Sequence, residues 1–125
     1  MKHNAKILLV DDDKLVRDSL AEILTFHGWE VVKANSGQAA VELVSQSKDF
    51  AALIIDFNMP NMNGSETLIG IRGLGCQAPA ILCSGHISDP AQATVLEQFQ
   101  GFLAKPFHRL ELEEVLQRLT NRNST

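Results

Sequence analysis

Three consecutive carboxylates, Asp11, Asp12 and Asp13, directly follow the apolar run of residues 7–10. An aliphatic and β-branched run of this kind is typical of a buried parallel strand. Consecutive carboxylates repel one another unless a cation compensates their charge, and a hard divalent cation such as Mg²⁺ prefers oxygen ligands of this type. A solvated acidic turn that caps the next helix would fit the same residues, so this feature alone leaves both interpretations open.

Polar residues also end three later apolar runs. They are Asp56 after residues 53–55, Ser84 after residues 81–83, and Lys105 after residues 102–104. A carboxylate can attack phosphorus and form an aspartyl-phosphate. Phosphoryl transfer also needs the charge on its oxygens neutralised, usually by Mg²⁺ and a cationic side chain. Each residue alone would also fit a turn, a loop cap or a solvated lysine, but their joint occurrence favours phosphoryl chemistry.

The elements that must position these residues alternate strictly along the chain. Strand-like runs are predicted at residues 6–10, 30–34, 52–55, 80–83 and 101–104, with helical periodicity between them. This alternation predicts an α/β fold in which a doubly wound parallel sheet is covered by helices on both faces. The carboxyl ends of parallel strands meet at one edge, and sites form there at a topological switch point. The polar residues are therefore expected to converge.

Capping signals and apolar stripes mark five helices. The signals are Gly28 ending the first helix, Ser36 as N-cap of the second, Asn63 with Glu66 as a capping box for the third, Asp89 with Pro90 and Gln92 opening the fourth, and His108 as a weaker cap of the fifth. The stripes expected to face the core are Leu15, Leu20, Ile23 and Leu24; Ala40, Val41, Leu43 and Val44; Leu68, Ile69 and Ile71; and Leu112, Val115, Leu116 and Leu119.

Composition limits the classes of function. The chain has 125 residues, a hydrophobic fraction of 45% and a net charge of −4, which predicts one domain over residues 1–125 with a core from about residue 5 to 120 and a polar tail at 121–125. An acidic chain without a basic cluster is not expected to bind nucleic acid directly. The N-terminal apolar stretch is too short for a signal peptide or membrane span, so a cytoplasmic location without membrane contact is expected. Neither Cys76 nor Cys83 shows metal or redox spacing.

These motifs, taken in order, resemble the receiver domain of two-component response regulators. The resemblance covers essentially the whole chain and rests on residues 7–13, on residues 53–60 with Gly64, on Ser84-Gly85 and on Lys105-Pro106-Phe107. It implies a flavodoxin-like sheet of order 2-1-3-4-5 with five helices. The chain would be either a stand-alone regulator or the receiver of a hybrid histidine kinase.

The resemblance also implies a role for each site residue. Asp56 resembles the phosphoacceptor and would also be a metal ligand; Asp11 and Asp12 resemble the acidic pair, with Asp12 the more direct metal ligand; Asn58 would offer its backbone carbonyl to Mg²⁺ or Mn²⁺; Ser84 resembles the hydroxyl that moves toward the phosphoryl group; and Lys105 resembles the conserved lysine. The family's cis peptide bond would lie between Lys105 and Pro106. Asp13 is interpreted as loop or helix start.

Two aromatic side chains, Phe102 and His86, each fit two interpretations. Phe102 falls at the family's aromatic switch position, although a core-facing aromatic on the last strand is the alternative. His86 lies two residues after Ser84, where a side chain can approach the attacking water, but it would equally fit an exposed loop.

The implied function is a phosphorylation-operated switch. A histidine kinase or histidine phosphotransfer protein would phosphorylate Asp56, and Ser84 and Phe102 would then change the surface of the fourth helix, fifth strand and fifth helix, where a downstream protein or a homodimer partner would bind. The domain would catalyse only its own phosphorylation and dephosphorylation. A pseudo-receiver that binds proteins without phosphorylation is the first alternative. A metal-dependent phosphatase is the second, but its second acid would fall where this chain has Asn58.

Overall fold

Five parallel strands form one sheet in this computed structural model, which describes residues 5–85 and 97–120. The strands are β1 (Lys6–Val10), β2 (Glu30–Ala34), β3 (Ala52–Asp56), β4 (Ala80–Ser84) and β5 (Gly101–Ala104). Their spatial order is β2-β1-β3-β4-β5. The predicted flavodoxin-like doubly wound sheet is therefore confirmed. β3 and β4 each run one residue further than predicted, so Asp56 and Ser84 are the last residues of their strands.

Four helices lie within the described residues: α1 (Lys14–Phe26), α2 (Gly37–Gln46), α3 (Gly64–Gly73) and α4 (Arg109–Thr120). α4 is the fifth helix of the sequence prediction. The predicted fourth helix, with Asp89, Pro90 and Gln92, lies outside the described residues, and so do His86 and the polar tail at 121–125.

Alternate residues of the strands supply two separate cores, one on each face of the sheet. On β1, Leu8 and Val10 pack in the cluster that contains residues of α2 and α3. Ile7 and Leu9 pack in the other cluster, with residues of α1 and α4. This alternation is the two-residue period of a strand buried on both faces.

The capping signals act largely as the sequence predicts. Asp13 is the N-cap of α1, and its carboxylate accepts from the backbone N–H groups of Leu15 and Val16. Ser36 caps α2, and Asn63 forms the capping box of α3 with Glu66. Gly28 follows α1 with a φ of 94°, a left-handed conformation that glycine adopts without strain. At the start of α4, the His108 N–H donates to the carboxylate of Glu111 in the first turn of the helix, at 2.8 Å.

The prediction that Leu15 and Ile69 face the core is wrong. Leu15 is 79% exposed and Ile69 is 58% exposed. Nine residues make about 2.5 helical turns, so Leu15 lies on the opposite side of α1 from the buried Leu24. Ile69 stands about 160° around α3 from the buried Ile71 for the same reason. Both side chains are apolar, but their angular positions on the helices do not match the buried stripe.

The start of α3 packs directly on the backbone that follows β3. The Gly64 N–H donates to the Phe57 carbonyl at 2.9 Å, and a Cβ at Gly64 would lie 2.9 Å from the Asp56 carbonyl oxygen and 2.9 Å from the Phe57 Cα. Backbone atoms cannot move aside as a flexible side chain can. Only glycine therefore allows α3 to begin this close to the end of β3.

Gly64→Ala is expected to lower the free energy of unfolding by about 1–3 kcal/mol, because the added methyl group must displace this backbone. Gly73→Ala in the last turn of α3 is the matched control, since nothing lies within 4 Å of its Cβ position. The control is expected to be neutral or stabilising by roughly 0.5–1 kcal/mol. Urea titrations compare the two, and equal stability of both variants would contradict the close approach.

Candidate functional site

Three carboxylates meet at the carboxyl edge of the sheet. Ligand oxygens of Asp11, Asp12 and Asp56 all lie within 4.8 Å of one another. Asp11 directly follows β1 and Asp56 ends β3, and these two strands are neighbours in register. Asp11 and Asp56 are buried, at 2% and 6% exposure, whereas Asp12 is exposed. The sheet therefore brings together the three acids that the sequence predicts as a metal site.

Lys105 places one ammonium group between two of these acids. Its Nζ lies 3.0 Å from Asp56 Oδ1 and 3.1 Å from Asp11 Oδ2. The backbone N–H of Lys105 donates to the Ser84 carbonyl at 2.8 Å, which ties the end of β5 to the end of β4. The peptide bond between Lys105 and Pro106 is cis, the isomer that the resemblance implies.

The charges of this site are unequal. Burial raises the pKa of Asp56, and the neighbouring charges of Asp11 and Asp12 add to the shift, against the opposing hydrogen bond from Lys105. Burial lowers the pKa of Lys105, but the hydrogen bonds and charges of Asp56 and Asp11 together outweigh it and hold the pKa above its usual value. Among the residues that the structure describes, one side-chain cation thus faces three carboxylates. An all-oxygen site with excess negative charge fits a hard divalent cation such as Mg²⁺.

Asp11 and Asp12 differ in how firmly they are held. Asp11 Oδ1 accepts from the Asp13 N–H at 2.9 Å and Oδ2 accepts from Lys105, while the Asp11 carbonyl accepts from the guanidinium of Arg17 at 2.8 Å. The Asp12 carboxylate makes no hydrogen bond or ion pair within residues 5–85 and 97–120. Asp12 is thus the acid with its oxygens available for direct metal binding.

The remaining predicted residues lie around this centre. Ser84 is buried at the end of β4, one residue after Cys83, which is the register partner of Asp56. Asn58 is exposed two residues after Asp56, and the metal-binding role of its carbonyl stays a prediction. Burial raises the pKa of the Cys83 thiol to about 12, which keeps this sulfur protonated and unreactive.

Phe102 does not face the core. It is 48% exposed on β5, between the buried residues Gly101 and Leu103. The core-facing alternative is therefore wrong, and an aromatic ring lies at the surface three residues before Lys105. Its role as a switch stays a prediction.

The sequence did not predict the hydrogen bond from the Arg17 guanidinium to the Asp11 carbonyl. An arginine in the second turn of an amphipathic helix ordinarily extends into solvent, and no local pattern marks one that turns back toward the preceding loop. The short separation of Arg17 from the acidic run was the only available signal.

A five-stranded parallel sheet with an acid cluster and a lysine at its carboxyl edge defines an α/β signalling domain of the receiver type. The chain belongs to the response regulator receiver domain family, whose model matches residues 7–117. It is 36% identical over 115 residues to the response regulator MprA of Mycobacterium leprae, a match that covers 91% of this chain and 49% of that protein. The chain thus spans about half the length of the curated relatives it matches.

Solved structures support the same conclusion. The chemotaxis protein CheY4 of Vibrio cholerae is similar with a TM-score of 0.83 and 30% identity, covering 92% of this chain and 98% of that one. The receiver domain of the sensor histidine kinase PA1611 of Pseudomonas aeruginosa is similar with a TM-score of 0.86 and 25% identity, covering 95% and 99%, and holds a magnesium ion in its active site cleft. No helix among the described residues is long and apolar enough to cross a membrane.

Asp56→Asn is expected to stabilise the metal-free chain at neutral pH. Because the native pKa of Asp56 is raised above the unfolded value of 3.8, the native state binds more protons between these two values, and stability falls as the pH rises through that interval. Asparagine removes this cost at nearly constant volume. In EDTA, the free energy of unfolding of the variant should exceed that of the wild type at about pH 8, and the excess should shrink toward pH 4.

Urea titrations followed by Trp29 fluorescence measure this difference. Asp49→Asn removes a carboxylate that is exposed, and serves as the control with no expected excess. An excess for Asp56→Asn that grows toward acidic pH would contradict the raised pKa.

Proposed function

We propose that this chain is a phosphorylation-operated signalling switch in a two-component phosphorelay. Asp56 is the phosphoacceptor, and Asp11, Asp12, Asp56 and the backbone carbonyl of Asn58 hold Mg²⁺ or Mn²⁺. The observation that carries the proposal is the placement of the Lys105 ammonium between Asp11 and Asp56 in a cluster of three carboxylates. The cation supplied from solution would neutralise the charge that develops on the phosphoryl oxygens.

The residues of the chain have distinct parts in the transfer. A carboxylate oxygen of Asp56 forms a bond to phosphorus while the phosphorus–nitrogen bond of a phosphohistidine breaks, and the electron pair stays on the imidazole. Lys105 already donates to Asp56 and is placed to neutralise a phosphoryl oxygen. The Ser84 hydroxyl donates to a second phosphoryl oxygen. Water later attacks the phosphorus, which releases phosphate and restores Asp56, so the chain catalyses only its own modification.

An apolar groove beside Lys105 suits the phosphodonor, a histidine kinase or a histidine phosphotransfer protein. The groove has a volume of about 540 Å³ and lies between α1 and the loop that precedes α4. Its walls include the exposed Leu15 together with Val16, Pro106 and Phe107. Because Lys105 lines both the groove and the acid cluster, a partner seated there would bring its histidine toward Asp56.

The output surface is proposed around β5 and α4, where Phe102 and Leu110 are exposed at 48% and 68%. A downstream protein or a second copy of the chain would bind there after the switch. The single domain over residues 1–125, the cytoplasmic location and the absence of direct contact with nucleic acid or membrane stay predictions.

A pseudo-receiver is the second candidate, because a fold of this kind can bind proteins without phosphorylation. The close approach of all three acids and the lysine favours a working site instead. Mg²⁺ binding separates the two candidates.

Incubation with acetyl phosphate and Mg²⁺ tests the proposal by intact mass. The wild type is expected to gain one phosphate, whereas Asp56→Asn gains none and Asp12→Ala folds but gains almost none. Asp13→Ala is the matched control: it loses the N-cap of α1, costing about 1 kcal/mol of stability, yet accepts phosphate. A wild type without phosphate in the presence of Mg²⁺, or an equal gain in Asp56→Asn, would sink the proposal.

Leu15→Glu tests the groove. Transfer from a histidine kinase or phosphotransfer protein that phosphorylates the wild type should slow by about tenfold or more, because the charge would replace an exposed apolar side chain that the docked partner would bury. Phosphorylation by acetyl phosphate should not change. Ile69→Glu is the control, since it changes an exposed apolar residue on α3. Equal transfer to wild type and Leu15→Glu would rule out this docking surface.

A further inference from the structure

The Arg17 side chain extends from α1 back to residues 11–13, the acidic loop between β1 and α1. It makes no hydrogen bond or ion pair with the carboxylates of Asp11, Asp12 or Asp56. Its Nη1 donates to the backbone carbonyl of Asp11 at 2.8 Å, while its own N–H continues the helix by donating to the Asp13 carbonyl at 2.9 Å. The side chain therefore closes a loop over residues 11–17. A hydrogen bond from a charged donor is stronger than one between neutral groups.

This contact fixes one of the two peptide groups that flank Asp12. The carbonyl of the peptide between Asp11 and Asp12 accepts from Arg17, and the N–H of the peptide between Asp12 and Asp13 donates to Asp11 Oδ1 at 2.9 Å. Each peptide group is planar, so holding both restricts the φ and ψ angles of Asp12. Asp13 is itself held as the N-cap of α1.

Asp12 thus has a restrained backbone and a carboxylate without a partner in the described part of the chain. Its side chain makes no hydrogen bond or ion pair among the residues that the structure describes, and its oxygens lie within 4.8 Å of the ligand atoms of Asp11 and Asp56. A ligand held in advance loses less conformational entropy when it binds a metal.

We propose that Arg17 is a positioning residue that holds Asp12 in place for Mg²⁺. The inference rests on the proposed Mg²⁺ site and adds to it a residue that does not touch the metal. Outer contacts of this kind typically change metal affinity by about 10–100-fold.

A positioning role and a purely electrostatic role of Arg17 predict opposite changes in Mg²⁺ affinity when Arg17 is replaced. A guanidinium near the cluster repels a cation, so a purely electrostatic Arg17 would weaken Mg²⁺ binding and its removal would strengthen binding. A positioning Arg17 strengthens binding, and its removal weakens it. The direction of the change therefore distinguishes the two roles.

Isothermal titration of purified protein with MgCl₂ supplies the measurement. Arg17→Met, which keeps the apolar part of the side chain, should raise the dissociation constant about tenfold or more. Arg17→Gln, whose side chain is too short to reach the Asp11 carbonyl, should show the same loss of affinity. It replaces Arg17→Met in the test if that variant does not fold. Arg17→Lys, which retains a long cationic donor, should recover most of the affinity.

Lys14→Met is the matched control. It removes a positive charge from the same helix, but the Lys14 ammonium pairs with the Asp18 carboxylate at 2.6 Å and is not bound to the acidic loop. Its affinity for Mg²⁺ should equal or slightly exceed that of the wild type.

A second readout needs no metal. Backbone ¹⁵N relaxation in EDTA should show lower order parameters at the Asp12 and Asp13 amides in Arg17→Met, with Lys14→Met unchanged. Unchanged order parameters, or equal or tighter Mg²⁺ binding by Arg17→Met, would overturn the positioning role while leaving the proposed function intact. A wild type that binds no Mg²⁺ would overturn both.

Discussion

The site depends on one interaction within residues 5–85 and 97–120: three carboxylates are opposed by a single lysine ammonium. Two of them, Asp11 and Asp56, are buried, where charges interact more strongly than in water. They cannot separate, because they are attached to the neighbouring strands β1 and β3, which are buried on both faces. Hydrophobic packing thus holds together charges that would otherwise disperse. Burial is the largest cause of the raised pKa of Asp56, and the charges of Asp11 and Asp12 add to it. The excess of negative charge favours a cation at this edge.

The sheet order explains why residues so distant in sequence share this edge. Lys105 is 94 residues from Asp11 and 49 residues from Asp56, yet it contacts both. β3 is the central strand of the sheet, with β1 and β2 on one side and β4 and β5 on the other. The Lys105 side chain reaches past the end of β4, and its backbone N–H bonds the Ser84 carbonyl on the way. The position of Ser84 is therefore coupled to the lysine that neutralises Asp56.

The elements and their convergence were predictable because they follow from periodicity and from the parallel arrangement. Every strand was located to within one residue, and the caps at Ser36 and Asn63 act as their residue types indicate. The order of the strands came from family resemblance, since alternation alone does not determine which strand lies beside which. Leu15 departs from the prediction because its angular position on α1, and not its apolar character, determines that it faces solvent. The contact from Arg17 was not predictable, because helical spacing gives the side of the helix and not the path of a long flexible side chain.

Lys105 connects the acid cluster to the proposed output surface around β5 and α4. Its ammonium is shared between Asp11 and Asp56, so a phosphoryl group on Asp56 would compete with Asp11 for the same cation. A shift of the ammonium toward new phosphoryl oxygens would release Asp11 from one of its two carboxylate contacts and leave the bond from the Asp13 N–H. The same residue directly follows β5, which carries the exposed Phe102 three residues earlier. A change in the partner of one partly buried ammonium would therefore reach both the proposed metal-binding loop and the proposed output surface, which is how a local electrostatic event biases two packings of one fold.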